Sequence, residues 1–177
     1  MNESIQSNKT TAHEVTAHET TAPRAAKQPA GSPPRPEYPE ATLHVRAMHD
    51  PVLDKLGHDP RSAYVEQFWV SVLGPSAVLL LRRLANQLDS CPDGFDIDPL
   101  HWAQELGLGT RGGKHSPLWR TIDRLCRFGM AHRHAGQLSV HRHLPPLSLR
   151  QIRRLPPHLQ AAHQSWENSL RQANTAA

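Results

Sequence analysis

Apolar residues recur at spacings of three and four positions in four successive stretches of the chain, the period of an amphipathic helix. Each stretch opens with a polar residue or glycine followed by proline, which is favoured at the first helical position because its missing N–H has no intrahelical partner there. Four helices are therefore predicted, opening at Asp59-Pro60, Gly74-Pro75, Asp98-Pro99 and Ser116-Pro117. A short helix capped by Ser148 and a last one after Pro156-Pro157 are expected to follow.

Alternation of apolar and polar positions marks the predicted strands. Residues 94–98 form one short strand of this kind, between the second and third helices. Residues 131–134 and 137–143 predict two more strands around Ala135-Gly136, a pair suited to a two-residue hairpin turn. The order after residue 98 is thus helix, helix and two-stranded ribbon.

The first 58 residues contain too few apolar side chains to offset the entropy of ordering the chain. They include the imperfect tandem TAHEVTAHET and a proline-rich piece, Pro29 to Pro39, which favours extended conformers and is interpreted as a spacer. The predicted organisation is a disordered low-complexity tail over residues 1–58, a folded domain with flanking helices over 59–172, and a frayed C-terminus over 173–177.

Two segments resemble the winged helix-turn-helix superfamily: LHWAQELGLG (Leu100–Gly109) is similar to its LAxxLGL helix, and LWRTIDRLCRFGMA (Leu118–Ala131) to its LxRLxxxGL recognition helix and turn. The resemblance covers about residues 76–144. It implies a mainly α fold with a small antiparallel β-sheet, namely a winged helix-turn-helix with extra N- and C-terminal helices. It also implies a bacterial transcriptional regulator that binds double-stranded DNA. One departure is the turn of residues 107–115, which is longer than the usual three or four residues.

The charge of the chain is unevenly distributed, although the formal net charge is only +4. Residues 111–155 contain ten lysines and arginines and one acid, Asp123, whereas residues 61–110 contain three basic and six acidic residues. One basic half of a compact domain is typical of a nucleic-acid-binding surface. The alternative is a solvated basic surface without a partner.

The fourth predicted helix places its charge on one side. Arg120, Arg124 and Arg127 lie opposite the apolar face that includes Leu118 and Ile122. Guanidinium groups at i, i+4 and i+7 are positioned as a groove-docked helix presents them to phosphates or guanine edges. The other predicted DNA contacts are to the backbone, from the long turn and the hairpin: Arg111, Lys114, Arg133 and Arg142.

The predicted hairpin is rich in histidine. Alternation around the turn places His132, His134, His141 and His143 on one face, together with Ser139. Imidazole suits zinc, copper or nickel, but no carboxylate or thiol is interleaved as a further ligand. We therefore expect no metal site, and a wing that lies along phosphates is the preferred interpretation.

Catalytic chemistry is not expected. The glycines of residues 107–112 spell GxGxxG but follow a helix rather than a strand, and the adjoining Gly113-Lys114 lacks the Ser or Thr of a phosphate loop. No nucleophile–base pair is visible, so we predict neither an enzyme nor a cofactor. The N-terminus has no apolar signal core, and the longest apolar run, Ala77 to Leu81, is far shorter than the roughly 20 residues of a membrane span. A cytoplasmic protein with no membrane partner is expected.

The alternative function is a winged helix that serves as a protein–protein interaction module and does not bind DNA. Two C-terminal apolar faces are its candidate docking surfaces, for a partner or for a second copy in a homodimer. Their residues are Leu149, Ile152 and Leu155 on the first face, and Trp166 and Leu170 on the second.

Overall fold

The computed structural model describes residues 42–109 and 115–175. Four strands are present in these ranges: β1 (Leu43–Met48), β2 (Phe95–Ile97), β3 (Ala131–His134) and β4 (Gln137–His141). A π-helix spans Val65–Trp69. The α-helices are α1 (Pro51–Leu56), α2 (Val70–Leu73), α3 (Pro75–Ser90), α4 (Pro99–Glu105), α5 (Pro117–Arg127), α6 (Leu149–Ile152) and α7 (Pro157–Thr175).

Side-chain caps set the starts of three of the described helices, α1, α4 and α6. The Asp98 side chain accepts hydrogen bonds from the backbone N–H groups of Leu100 and His101. Ser148 and Gln151 form a reciprocal capping box at α6. The helices predicted after Gly74, Asp98, Ser116, Ser148 and Pro156 are therefore confirmed. The first predicted helix differs in its start, because a turn follows Pro60 before the chain becomes helical.

The sheet has the order β2-β1-β4-β3, so the first strand in the sequence is an inner strand of the sheet. Leu43 pairs opposite Ile97 of β2, and Val45 pairs opposite Leu138 of β4. Both side chains are fully buried, because alternation along β1 turns them toward the helices. The prediction of a disordered tail up to residue 58 is therefore wrong for its last part, where β1 and α1 lie. Residues 1–41 of that predicted tail lie outside the described residues.

The mainly helical class is confirmed, but the sheet is mixed rather than antiparallel. Strand β4 is antiparallel to β3 and parallel to β1. The predicted hairpin is present, and both residues of its turn, Ala135 and Gly136, have positive φ (42° and 76°), as a type I′ turn requires. The Gly136 carbonyl accepts a hydrogen bond from the His44 N–H, which ties the turn to β1.

One apolar core joins the inner face of the sheet to the helices. Helix α3 contributes seven buried side chains and contacts α5, which packs in turn against α4 and β3. A fully buried aliphatic side chain in such a core contributes roughly 1.5–3 kcal/mol. The core thereby fixes the orientation of α5, the helix that carries the predicted DNA contacts.

Helix α7 packs on the core through a polar cluster as well as apolar contacts. The Tyr64 hydroxyl lies 2.9 Å from His163 Nε2 and accepts a hydrogen bond from the Leu147 N–H. His163 is only 4% exposed. The helix continues to Thr175, beyond residue 172 where fraying was predicted. No helix in the described part of the chain is both long and apolar enough to cross a membrane.

Candidate nucleic-acid interface

Helix α5 separates its apolar and basic residues as the sequence predicted. Leu118, Ile122 and Leu125 are fully buried against the rest of the core. Arg120 and Arg124 are exposed on the opposite side, and Arg127 is exposed in the last turn. The helix therefore presents a stripe of three guanidinium groups to solvent, which we call the arginine stripe (Arg120, Arg124 and Arg127).

The arginine stripe has no neutralising acidic partner among the residues that the structure describes. Within residues 42–109 and 115–175, no acidic side chain lies within ion-pair distance of its three guanidinium groups. The only acid on α5, Asp123, instead approaches Arg133, with 3.2 Å between Oδ1 and the guanidinium nitrogen. The charge of the stripe is therefore available to an external anion.

Other arginines of the described chain form ion pairs. Arg61 bridges Asp59 and Asp89, each at 2.6 Å, and holds the pKa of both carboxyl groups below its ordinary value. Arg82 pairs with Glu66 at 3.1 Å. The arginine stripe therefore differs from Arg61 and Arg82, whose charges are paired with carboxylates within the protein.

Arg133 does not occupy the exposed position that the sequence analysis assigned to it. In the hairpin it pairs opposite Leu138, which places it on the core side of the sheet. Its side chain is only 6% exposed, and its guanidinium carbon lies 5.1 Å from the centre of the Trp119 ring. We conclude that Arg133 holds the hairpin against α5 and does not face solvent, so the prediction of a backbone contact is wrong for this residue.

Arg142 is also paired, with Asp89 at the end of α3. The same carboxylate accepts from Arg61, so Asp89 of α3 binds both the end of the hairpin and the turn after Pro60. The predicted role of Arg142 as a phosphate contact therefore competes with an existing ion pair. Arg111 and Lys114, the predicted contacts in the long turn, lie outside the described residues.

The four hairpin histidines are not gathered into one cluster. His132 and His134 are exposed on the outer face of β3, and His141 lies on the same face of β4. His143 follows the strand and faces α1, with its Nδ1 3.5 Å from an Asp54 oxygen. Among the residues that the structure describes, no group of three or more histidine, cysteine or acidic side chains is arranged to hold a metal ion.

His141 has an environment that disfavours its charged form. It is half-buried, and burial lowers the pKa of its ring, although the nearby carboxylates of Asp50 and Asp54 act in the opposite direction. A ring that resists protonation is a poor phosphate contact at neutral pH. Of the four hairpin histidines, His132 and His134 are exposed and can contact an anion.

The structure adds one basic residue to which the sequence analysis assigned no role. Arg154, just after α6, lines a cavity of about 190 Å³ together with Phe128, the residue that ends α5. The cavity therefore places Arg154 beside the C-terminal end of α5. The only signal in the sequence was the excess of basic residues over 111–155, which does not indicate which of them share a surface.

Comparisons with known proteins do not assign this chain to a family: no family model, no curated protein and no solved structure matches it.

Proposed function

We propose that this chain is a duplex-DNA-binding protein, a transcriptional regulator of the winged helix-turn-helix type, with α5 as its recognition helix. The observation that carries the proposal is the arginine stripe, which is exposed and without acidic partners among the described residues. The order α4, α5, hairpin supports it, because a helix pair followed by a two-stranded ribbon is the layout of that fold. The winged helix-turn-helix fold and the DNA-binding function are both part of this proposal.

The dimensions of α5 suit the major groove. Its 11 residues give a length of about 16 Å, and the arginine stripe spans about 10 Å of it. The groove is about 12 Å wide and admits one α-helix. Arginine side chains on the exposed face of such a helix reach both phosphates and the acceptor pair on guanine, O6 and N7.

The test is a binding titration with a labelled duplex of random genomic sequence at several salt concentrations. Each phosphate neutralised contributes about −0.9 to the slope of log K against log salt. If each arginine of the stripe neutralises one phosphate, the triple variant Arg120→Ala, Arg124→Ala, Arg127→Ala reduces the steepness of that slope by about 2.7. It also loses affinity at every salt concentration at which the parent binds.

The matched control removes the same charge elsewhere. Arg46, Arg82 and Arg171 lie on β1, α3 and α7, and none of them is buried. Their triple alanine variant changes net charge equally, and we expect it to keep the salt dependence of the parent. Equal losses in the two variants show that net charge and not the stripe is responsible. A parent that does not retain duplex at physiological salt refutes the proposal.

The second candidate is a protein–protein interaction module, and exposed leucines favour it. Leu149 is 74% exposed and Leu170 is 48% exposed. The predicted docking faces are smaller than expected, however, because Leu155 is buried in this chain and Trp166 packs against the same core. Sedimentation that shows a stable dimer, lost in a Leu149→Ser, Leu170→Ser variant, supports this candidate, whereas a monomer at all concentrations removes the homodimer form of it.

A further inference from the structure

A small cavity lies between the arginine stripe and the turn that joins α2 to α3. Its volume is about 160 Å³. One wall is α5, from which Arg120, Thr121 and Arg124 face it, and the opposite wall is the turn of residues 73–77. Ligand pockets for organic molecules measure about 300–1,000 Å³, so this cavity is sized for a small ion or one functional group.

The charge of the cavity selects anions. Arg120 and Arg124 are one helical turn apart, and like charges at this spacing repel each other. Among the residues that the structure describes, no acidic side chain lines the cavity and none forms an ion pair with either arginine. An oxyanion that accepts from both guanidinium groups removes the repulsion and gains charge-assisted hydrogen bonds.

The backbone of the turn lies close to the Arg124 side chain at Gly74. Gly74 has φ of +83° and ψ of 157°, a conformation that is essentially restricted to glycine. A Cβ atom at this position would stand 3.1 Å from the Arg124 guanidinium. Glycine therefore leaves room for the guanidinium beside the turn, at the mouth of the cavity.

Two hydroxyl groups line the cavity, and only the one on the α2–α3 turn has a donor left for an anion. Thr121 Oγ1 already donates to the Pro117 carbonyl at 2.9 Å. Ser76 lines the opposite wall and makes no side-chain hydrogen bond within the described residues. Two guanidinium groups and one hydroxyl are donors, and the acceptor they match is a tetrahedral oxyanion with several oxygens.

The geometry points to a phosphate-binding site formed by Arg120, Arg124 and the α2–α3 turn. The phosphate is either a diester of a nucleic-acid backbone or a free phosphate group, and the first case rests on the proposed function. In that case two of the three stripe arginines anchor the backbone. Arg127 does not line the cavity and is the stripe residue left for base edges.

The first arm of the test uses the full chain and inorganic phosphate. Amide resonances of Ser76 and Thr121 are followed as phosphate replaces chloride at constant ionic strength. Saturable shifts are expected in the parent, and they are expected to vanish in Arg124→Ala and in Ser76→Leu, which fills the cavity without changing charge. Arg150→Ala is the charge-matched control, because Arg150 is exposed on α6 outside the cavity, and it keeps the shifts. Absence of saturable shifts in the parent overturns the assignment.

The second arm uses duplex DNA and separates the two sources of phosphate. Arg124→Ala and Ser76→Leu are each expected to weaken binding equally for different duplex sequences, and to reduce the steepness of the salt slope by about 1. Unchanged duplex binding in both variants overturns the backbone contact and leaves the proposed function standing. Phosphate binding at the cavity in a parent that retains no duplex refutes the proposed function and assigns the site to a free phosphate group.

Discussion

Strand β1 provides the sharpest test of how this fold is held together. Leu43 is fully buried, with 0% of its surface exposed, between the sheet and the helices. Replacing a buried leucine by alanine removes its transfer free energy and leaves a cavity, and the two together cost about 2.7–5.0 kcal/mol. Since a domain has about 5–15 kcal/mol of stability in total, Leu43→Ala is expected to remove a large part of it.

The measurement is urea unfolding of the full chain, followed by circular dichroism. The matched control is Val52→Ala in α1, because Val52 is 63% exposed and its truncation should change the free energy of unfolding by less than about 0.5 kcal/mol. The two positions lie close in sequence within the segment for which disorder was predicted. Equal and small effects of the two substitutions would refute the assignment of β1 to the core.

Three further predictions follow from single residues. Burial and the neighbouring His163 lower the pKa of His58, which favours its neutral ring. The stability that this contributes is present above the ordinary pKa of about 6.5 and is lost as the pH falls from there through the lowered pKa. Between pH 7.5 and 5.5, the free energy of unfolding should therefore decrease more in the parent than in His58→Phe. Arg133→Met should cost about 1–3 kcal/mol in urea unfolding, because it removes the Asp123 ion pair, and leave the duplex affinity of the folded protein unchanged; weaker duplex binding would place Arg133 at the interface after all. Gly74→Ala should cost about 1–3 kcal/mol because of its backbone conformation, and a thermal melt that matches the parent would contradict that.

The helical part of the fold could be predicted because its signals are local. Asp98 followed by Pro99 is a cap and a first-turn proline, and the structure shows the Asp98 carboxylate in that role. The two faces of α5 follow in the same way from a period of 3.6 residues. The arginine stripe was predicted on this basis, and the structure confirms its exposure.

The position of β1 could not be read from local signals. LHVRAM is six residues long and follows a polar, proline-rich segment, so its alternation is too short to distinguish a strand from a tail. Its burial depends on partners far away in the sequence, which include Leu138 on β4. Non-local pairing of this kind decides the outcome where propensity is weak.

The error at Arg133 has a different origin, because the information was present. A two-residue turn at Ala135-Gly136 pairs Arg133 with Leu138, and paired residues lie on the same face. An arginine opposite a core leucine faces the core, and its charge then needs a partner there. Asp123 and Trp119 provide it from α5.

The central position of β1 has a consequence for the order in which the molecule can be assembled. This strand is synthesised before its partners: 52 positions separate His44 from Asp96, and 93 separate Arg46 from Ser139. Until the hairpin has been made, β1 lacks β4, its neighbour on one side, and can pair only with β2. Closing such long loops is slow compared with helix formation. We therefore expect the helices to form first and the sheet to close last, as the rate-limiting step of folding.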